Sequence, residues 1–125
     1  MGECMMQKIG GGGSEELNYA NGFITLSGKI TCTISGLNFK PNSISIAYAD
    51  NATNYTAYAD STGIIIGVYA VRGNVLRTLK WDKNGNRYDT SATVTFGDDS
   101  VTITCSGCTF GNSKGTHNSY YYLIT

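Results

Sequence analysis

With 125 residues and nine basic side chains against nine acidic ones, the chain is one domain by length and carries no net charge. The long-range field that would steer it to nucleic acid or anionic lipid is therefore missing, and no Lys/Arg cluster supplies one locally. Only 14% of the residues are charged, and the abundance of Gly, Thr, Ser and Asn gives a polar but uncharged surface, which tolerates close neighbours in an assembly.

Residues 1–9 lack the basic start, apolar run and cleavage site of an export signal, and no apolar run approaches the roughly 18 residues that span a bilayer. The expectation is a product made in the cytoplasm, without membrane insertion. Gly10 to Gly13 form an unbroken glycine tract before Ser14, the highest backbone freedom a chain can have. Residues 1–13 are thus read as a flexible arm, with Met5, Met6 and Ile9 as the apolar side chains that grip a partner. Ser14-Glu15-Glu16-Leu17 suits one helical turn, which Asn18 to Gly22 would end, and no longer helix is expected.

Beyond the arm the pattern is short strands and tight turns. Strands are expected over 23–27, 29–35, 43–50, 54–59, 63–72, 74–81, 86–96 with an interruption, 100–105 and 119–125. In the second of these Ile30, Cys32 and Ile34 share a face against Thr31 and Thr33; in the third Ile44, Ile46 and Tyr48 alternate with Ser45 and Ala47. Asn84-Gly85 between two strands is the strongest short-range hairpin signal, since both residues accept positive φ. Arg72-Gly73-Asn74 and Phe96-Gly97-Asp98-Asp99 read as two more hairpins, and the sole proline, Pro41, sits in a connection where its missing N–H costs no ladder bond. The fold expected is all-β: a single antiparallel β-sandwich, jelly-roll-like, over residues 14–125 behind the flexible glycine-rich arm.

Groups that could carry a reaction are sparse. Cys105-Ser106-Gly107-Cys108 is a CxxC, but the thioredoxin-like βαβ unit that would activate it is absent. These cysteines and Cys32 are read as core or turn residues; a 32–105 or 105–108 disulfide and a zinc site completed by Cys4 and His117 are the alternatives. Asp82, Asn84 and Asn86 match a calcium loop poorly, because Gly85 is misplaced and no bidentate Glu follows. His117 lies in a loop with no recognisable Ser/Asp partners, and Glu3, Glu15 and Glu16 all sit near the start, so no paired-carboxylate site forms. The reading is no enzyme, no cofactor and no metal. Asn51-Ala52-Thr53 and Asn54-Tyr55-Thr56 match the glycosylation sequon but read more simply as a turn and a strand start.

Tyrosine is the enriched functional type, with nine copies. It brings rigid apolar area plus a hydroxyl, which suits interfaces, sugar faces and half-buried strands alike. Trp81, Tyr88, Tyr120 and Tyr122 are the candidate ligand or interface residues. In the last strand Tyr121 and Leu123 share one face while Tyr120, Tyr122 and Ile124 share the other, which suggests a central position in a sheet or an oligomer contact.

The segment Ile34-Ser35-Gly36-Leu37-Asn38-Phe39-Lys40-Pro41-Asn42-Ser43-Ile44 resembles the "strand, Gly-Leu-x-Phe-Lys-Pro, strand" element of small β domains in tail-fibre and other surface proteins of bacteriophages and prophages. Tyr120-Tyr121-Tyr122-Leu123-Ile124 looks like the aromatic strand that often ends those domains. The short start followed by glycines is similar to phage appendage proteins, in which the start attaches to the virion and the β body projects. The resemblance implies a non-enzymatic virion structural protein exposed on the particle, as a tail appendage or a head decoration. Its implied partners are other virion proteins of capsid or tail, further copies of itself in a homo-oligomer, and host surface glycan. The long fibrous shaft is missing, which leaves tail and head both open. The alternative is a free carbohydrate-binding or adhesin-like module.

Overall fold

The computed structural model describes residues 18–49, 63–81, 86–89, 92–112 and 118–125, with the side chains of Trp81, Arg87 and Tyr88 outside that description. Alternation of apolar with small polar residues gives a strand one face to bury and one to leave wet, so such strands pair edge to edge and stack their apolar faces. Nine of them form: β1 Ala20–Thr25, β2 Thr31–Ile34, β3 Ser43–Tyr48, β4 Ile64–Val71, β5 Asn74–Trp81, β6 Arg87–Asp89, β7 Ala92–Phe96, β8 Val101–Cys105 and β9 Ser119–Ile124. Their order is β1-β9-β3-β4-β5-β6 in one sheet and β2-β8-β7 in the other. Every strand pairing is antiparallel. The protein is all-β, with two sheets stacked as a β-sandwich, and no helix occurs among the described residues.

The hairpins fall where turn chemistry put them. Val71 pairs with Asn74 around Arg72-Gly73, and Phe96 pairs with Val101 around a loop in which the Gly97 N–H donates to the Ser100 carbonyl at 2.8 Å. The expected 86–96 strand is divided into β6 and β7, which lie in different sheets. β9 runs between β1 and β3, the central position that its two apolar faces suggested. The arm at 1–13 with Met5, Met6 and Ile9, the helical turn at 14–17, the strand at 54–59, Asn84-Gly85, both sequons and His117 lie outside the described residues.

One expectation about the core is corrected. Ile30 is 55% exposed and does not share the buried face of Cys32 and Ile34. Regular pairing begins only at Thr31, because Lys29 is bonded instead in an isolated bridge to Phe110, and the change of partner breaks the two-residue alternation. The rest of β2 follows the pattern, with Cys32 and Ile34 inward and Thr31 and Thr33 outward. Across the small sheet, Thr31 faces Thr104 and then Thr93, and Thr33 faces Thr102 and then Thr95. Six threonines thus cover its outer surface, and the Thr33 and Thr102 hydroxyls hydrogen-bond at 3.1 Å.

The core lies between the inner faces. Cys32, Ile34, Val101, Ile103 and Cys105 from the small sheet meet Ile44, Ile46, Val68, Ala70 and Ile124 from the large one. Along one open side, Thr109 and Phe110 stitch the sheets together. The Ile65 N–H donates to the Thr109 carbonyl at 2.8 Å, and the Phe110 N–H donates to the Lys29 carbonyl at 2.6 Å. The Gly36–Pro41 connection packs as its residue types suggest: Leu37 and Phe39 lie against the core, Lys40 is exposed, and Pro41 is buried.

Candidate binding face

The outer face of the six-stranded sheet is assembled from two rows of residues that the register places side by side. One runs Phe23, Tyr121, Ala47, Gly67, Leu79 from β1 through β9, β3 and β4 to β5. The other runs Asn21, Leu123, Ser45, Tyr69, Arg77 across the same strands. Large apolar side chains on this face are open to solvent: Phe23 at 73%, Tyr69 at 47%, and Tyr121 and Leu123 at 37% each. A water-facing strand ordinarily carries polar residues there, so a contiguous aromatic and aliphatic patch makes this face the candidate place of contact.

The relief of the face follows from side-chain size. Ala47 and Gly67 stand opposite one another in the middle of the sheet and leave the floor low, while bulky residues rise on either side. The result is a shallow trough of about 240 Å³, walled chiefly by Ser45, Ala47, Gly67, Tyr69, Arg77 and Leu79. A bulge at Ile66, the extra residue between the Ile65–Lys80 and Gly67–Leu79 pairs, bends β4 beside it. On the β1 side, Phe23 and Tyr121 pack edge to face with ring centroids 5.3 Å apart, and the Asn21 amide donates to the Tyr121 hydroxyl at 2.9 Å. Arg77 lies 3.8 Å from Asp89 on β6, an exposed and therefore weak ion pair. Aromatic rings with polar tips, few charges and a low floor suit a flat, uncharged ligand that offers both C–H faces and hydroxyls.

The sequence-derived candidates distribute differently. Tyr120 is fully buried, so it is not a ligand or interface residue; the alternation of β9 turns it, with Ile124, into the core. Its hydroxyl donates to the Ile65 carbonyl at 2.6 Å and accepts the Gly111 N–H at 2.9 Å, and its ring meets Phe110 edge-on at 5.4 Å. Burial raises its pKa well above the ordinary tyrosine value, which keeps the proton needed for the bond to Ile65. Tyr122 is half-buried on the same inward face and packs against the core. The backbone places Trp81 at the end of β5 and Tyr88 in the edge strand β6, opposite Lys80. The residues missed were Phe23, Tyr69, Tyr121 and Leu123. Alternation in β9 already separated Tyr121 and Leu123 from Tyr120, Tyr122 and Ile124; what the sequence lacked was which of the two faces is buried and the neighbouring order that sets Phe23 beside the open one.

Three cysteines lie in the interior of the sandwich. Cys32, Cys105 and Cys108 are buried with free thiols. Burial pushes the Cys32 thiol up to about 11. A hydrogen bond from Cys105 lowers the pKa of Cys108 against the opposing effect of burial, and the nearby Lys80 charge adds to the lowering. The same hydrogen bond, with burial, raises Cys105. No group of three or more His, Cys, Asp or Glu side chains arranged to hold a metal occurs among the described residues, nor does any helix there have the length and apolarity to cross a membrane.

Fold and face together define a β-sandwich protein with an exposed aromatic sheet surface. No protein-family model, curated protein or solved structure matches the chain.

Proposed function

We propose that the protein is a non-enzymatic component of a bacteriophage virion, displayed on the particle as a tail appendage or head decoration and held there by its N-terminal residues. In this reading the outer face of the six-stranded sheet meets neutral saccharide on the host surface. The observation that carries it is the exposed patch of Phe23, Tyr121, Leu123 and Tyr69 around a trough floored by Ala47 and Gly67. Sugar rings stack their C–H faces on aromatic planes, and Tyr69, Tyr121 and Ser45 on the same sheet face carry hydroxyls for hydrogen bonding. A chain without net charge is suited to an uncharged ligand. The phage setting draws on the resemblance of the 34–44 element and the closing tyrosine strand, and display of many copies would multiply weak single-site contacts into avidity.

The test is a glycan-array screen of the monomeric protein beside Tyr69→Ala and Tyr121→Ala. Saturable binding that either substitution weakens at least tenfold, with melting temperature unchanged, supports the reading. Absence of binding by the isolated protein, together with retention on assembled particles, would make the face a subunit contact and remove the attachment role. A free carbohydrate-binding module is the second reading, favoured by the same trough. It predicts glycan binding by a protein absent from purified particles, whereas the virion reading predicts that deleting residues 1–13 abolishes incorporation.

A further inference from the structure

The outer edges of the two sheets are not alike. β6 is three residues long with Arg87 and Asp89 in it, and β2 is four residues long. At β7 the Phe96 carbonyl already accepts from Arg72 at 3.1 Å. Shortness, charge and capped backbone groups all keep an edge from pairing further. β1 has none of these: Ala20–Thr25 is six residues long, without charge or proline, and it runs along β9 in unbroken register.

The hydrogen-bond alternation shows which groups of β1 face outward. The Leu26 N–H donates to the Asn118 carbonyl at 2.9 Å. Bonded and unbonded pairs alternate along an antiparallel ladder, so Ile24 and Gly22 bond to Tyr120 and Tyr122, whereas Thr25, Phe23 and Asn21 do not bond across to β9. β9 agrees from its other side, because the Ser119 carbonyl, opposite Thr25, accepts from Ala49 at the end of β3. The main-chain N–H and C=O groups of Asn21, Phe23 and Thr25 therefore point off the sheet, and none of them has a partner among the described residues. Phe23, in the middle of the three, is also the most exposed large apolar side chain described.

We propose that β1 is the surface on which two copies of this chain pair, antiparallel about a two-fold axis at Phe23, so that their large sheets become one continuous sheet. Asn21 then pairs with the partner's Thr25, Phe23 with the partner's Phe23, and Thr25 with the partner's Asn21, each pair exchanging two N–H to C=O bonds. No other antiparallel register engages all three residues of both copies. Between these pairs Ile24 falls opposite the partner's Gly22, a bulky residue against one with no side chain. A chain without net charge puts no repulsion in the way. One short strand buries little area, so the dimer is weak and forms only as concentration rises. The pairing sets two copies of the open face side by side and is independent of what that face binds.

Sedimentation velocity of the full chain between about 5 and about 500 µM should show monomer giving way to dimer. Over the same range, amide exchange followed by NMR should slow several-fold at Asn21, Phe23 and Thr25, while Gly22 and Ile24 keep the rates set by β9. Thr25→Pro removes one outward donor and no bond to β9, and should weaken the dimer by about tenfold or more. Phe23→Lys keeps every backbone donor but sets like charges at the axis, and should do the same with the melting temperature of the dilute monomer unchanged. Tyr69→Ala, on the open face away from the edge, should leave the dimer intact, which separates edge pairing from stacking of faces. A monomer throughout the range, or a dimer that survives Thr25→Pro and Phe23→Lys but not Tyr69→Ala, would overturn the proposal. So would protection of the three amides in the dilute monomer, since the edge would then be covered within one chain.

Discussion

The Tyr120 hydroxyl donates to the main-chain carbonyl of Ile65 at 2.6 Å, which ties the central strand β9 to β4 from inside the core. The same oxygen accepts the Gly111 N–H, so one phenol satisfies a donor and an acceptor that have no water to turn to. Tyr120→Phe keeps the ring contacts with Phe110 and Tyr48 but orphans both backbone groups. The expected outcome is a loss of about 1–3 kcal/mol in urea unfolding. An unchanged midpoint would mean that the seam relaxes around the missing oxygen.

Arg72, in the two-residue turn between β4 and β5, bonds three carbonyls from two separate parts of the chain. Its guanidinium donates to Pro41, Phe96 and Gly97, the last at 2.9 Å, and lies 5.5 Å over the Phe96 ring. A planar fork can make these bonds together, while an ammonium reaches at most part of the set. Arg72→Lys should therefore destabilise nearly as much as Arg72→Ala, by about 1–2 kcal/mol, with chemical denaturation as the measurement. Full rescue by Lys would show that charge rather than shape matters there.

Thr78 is buried at 2% exposure, and its hydroxyl has no hydrogen-bond partner among the described residues. Valine has nearly the same shape without the polar atom. Thr78→Val should raise stability by about 1 kcal/mol, because the desolvation cost of an unpaired hydroxyl disappears. A lower melting temperature in the variant would contradict this.

Alkaline pH should weaken the fold. The Cys32 thiol is raised from 9.0 to about 11 by burial, so the folded state keeps a proton that the unfolded chain releases. Its contribution is complete below pH 9 and is lost as pH rises through 11, amounting to about 2 kcal/mol over that window. The upward shifts of Tyr120 and Cys105 act in the same direction, and the lowered Cys108 opposes them. Denaturation midpoints measured from pH 8 to 11 should fall, and Cys32→Ala should flatten part of the decline.

Gly111 shows how far local sequence reaches. Its φ of +68° is compatible with the loop composition around it, yet the reason no side chain fits is tertiary: a Cβ there would collide with the Leu26 carbonyl and lie 2.5 Å from the Asn118 side-chain oxygen. Nothing near Gly111 in the chain announces Leu26, which belongs to the far side of the seam. Ile30 makes the same point in reverse, since its alternation with Cys32 was regular and a single bridge from Lys29 to Phe110 undid it.

What the sequence alone determined was the class of fold and the two-faced alternation of most strands. Two-residue periodicity and glycine or asparagine turns act over a few residues, and they are visible without knowing what lies opposite; in β9 the division of Tyr120 and Ile124 from Tyr121 and Leu123 was legible in this way, while the buried side was not, because both faces are apolar. The tertiary structure decided which strands became neighbours, and hence the open apolar face of the large sheet and the surroundings of the buried cysteines. Phe23 meets Tyr121 across nearly the whole chain, and Lys80 reaches Gly107 from the other sheet. Strand order is fixed by how the apolar faces of the whole set can be buried at once, a condition that no single stretch of residues contains.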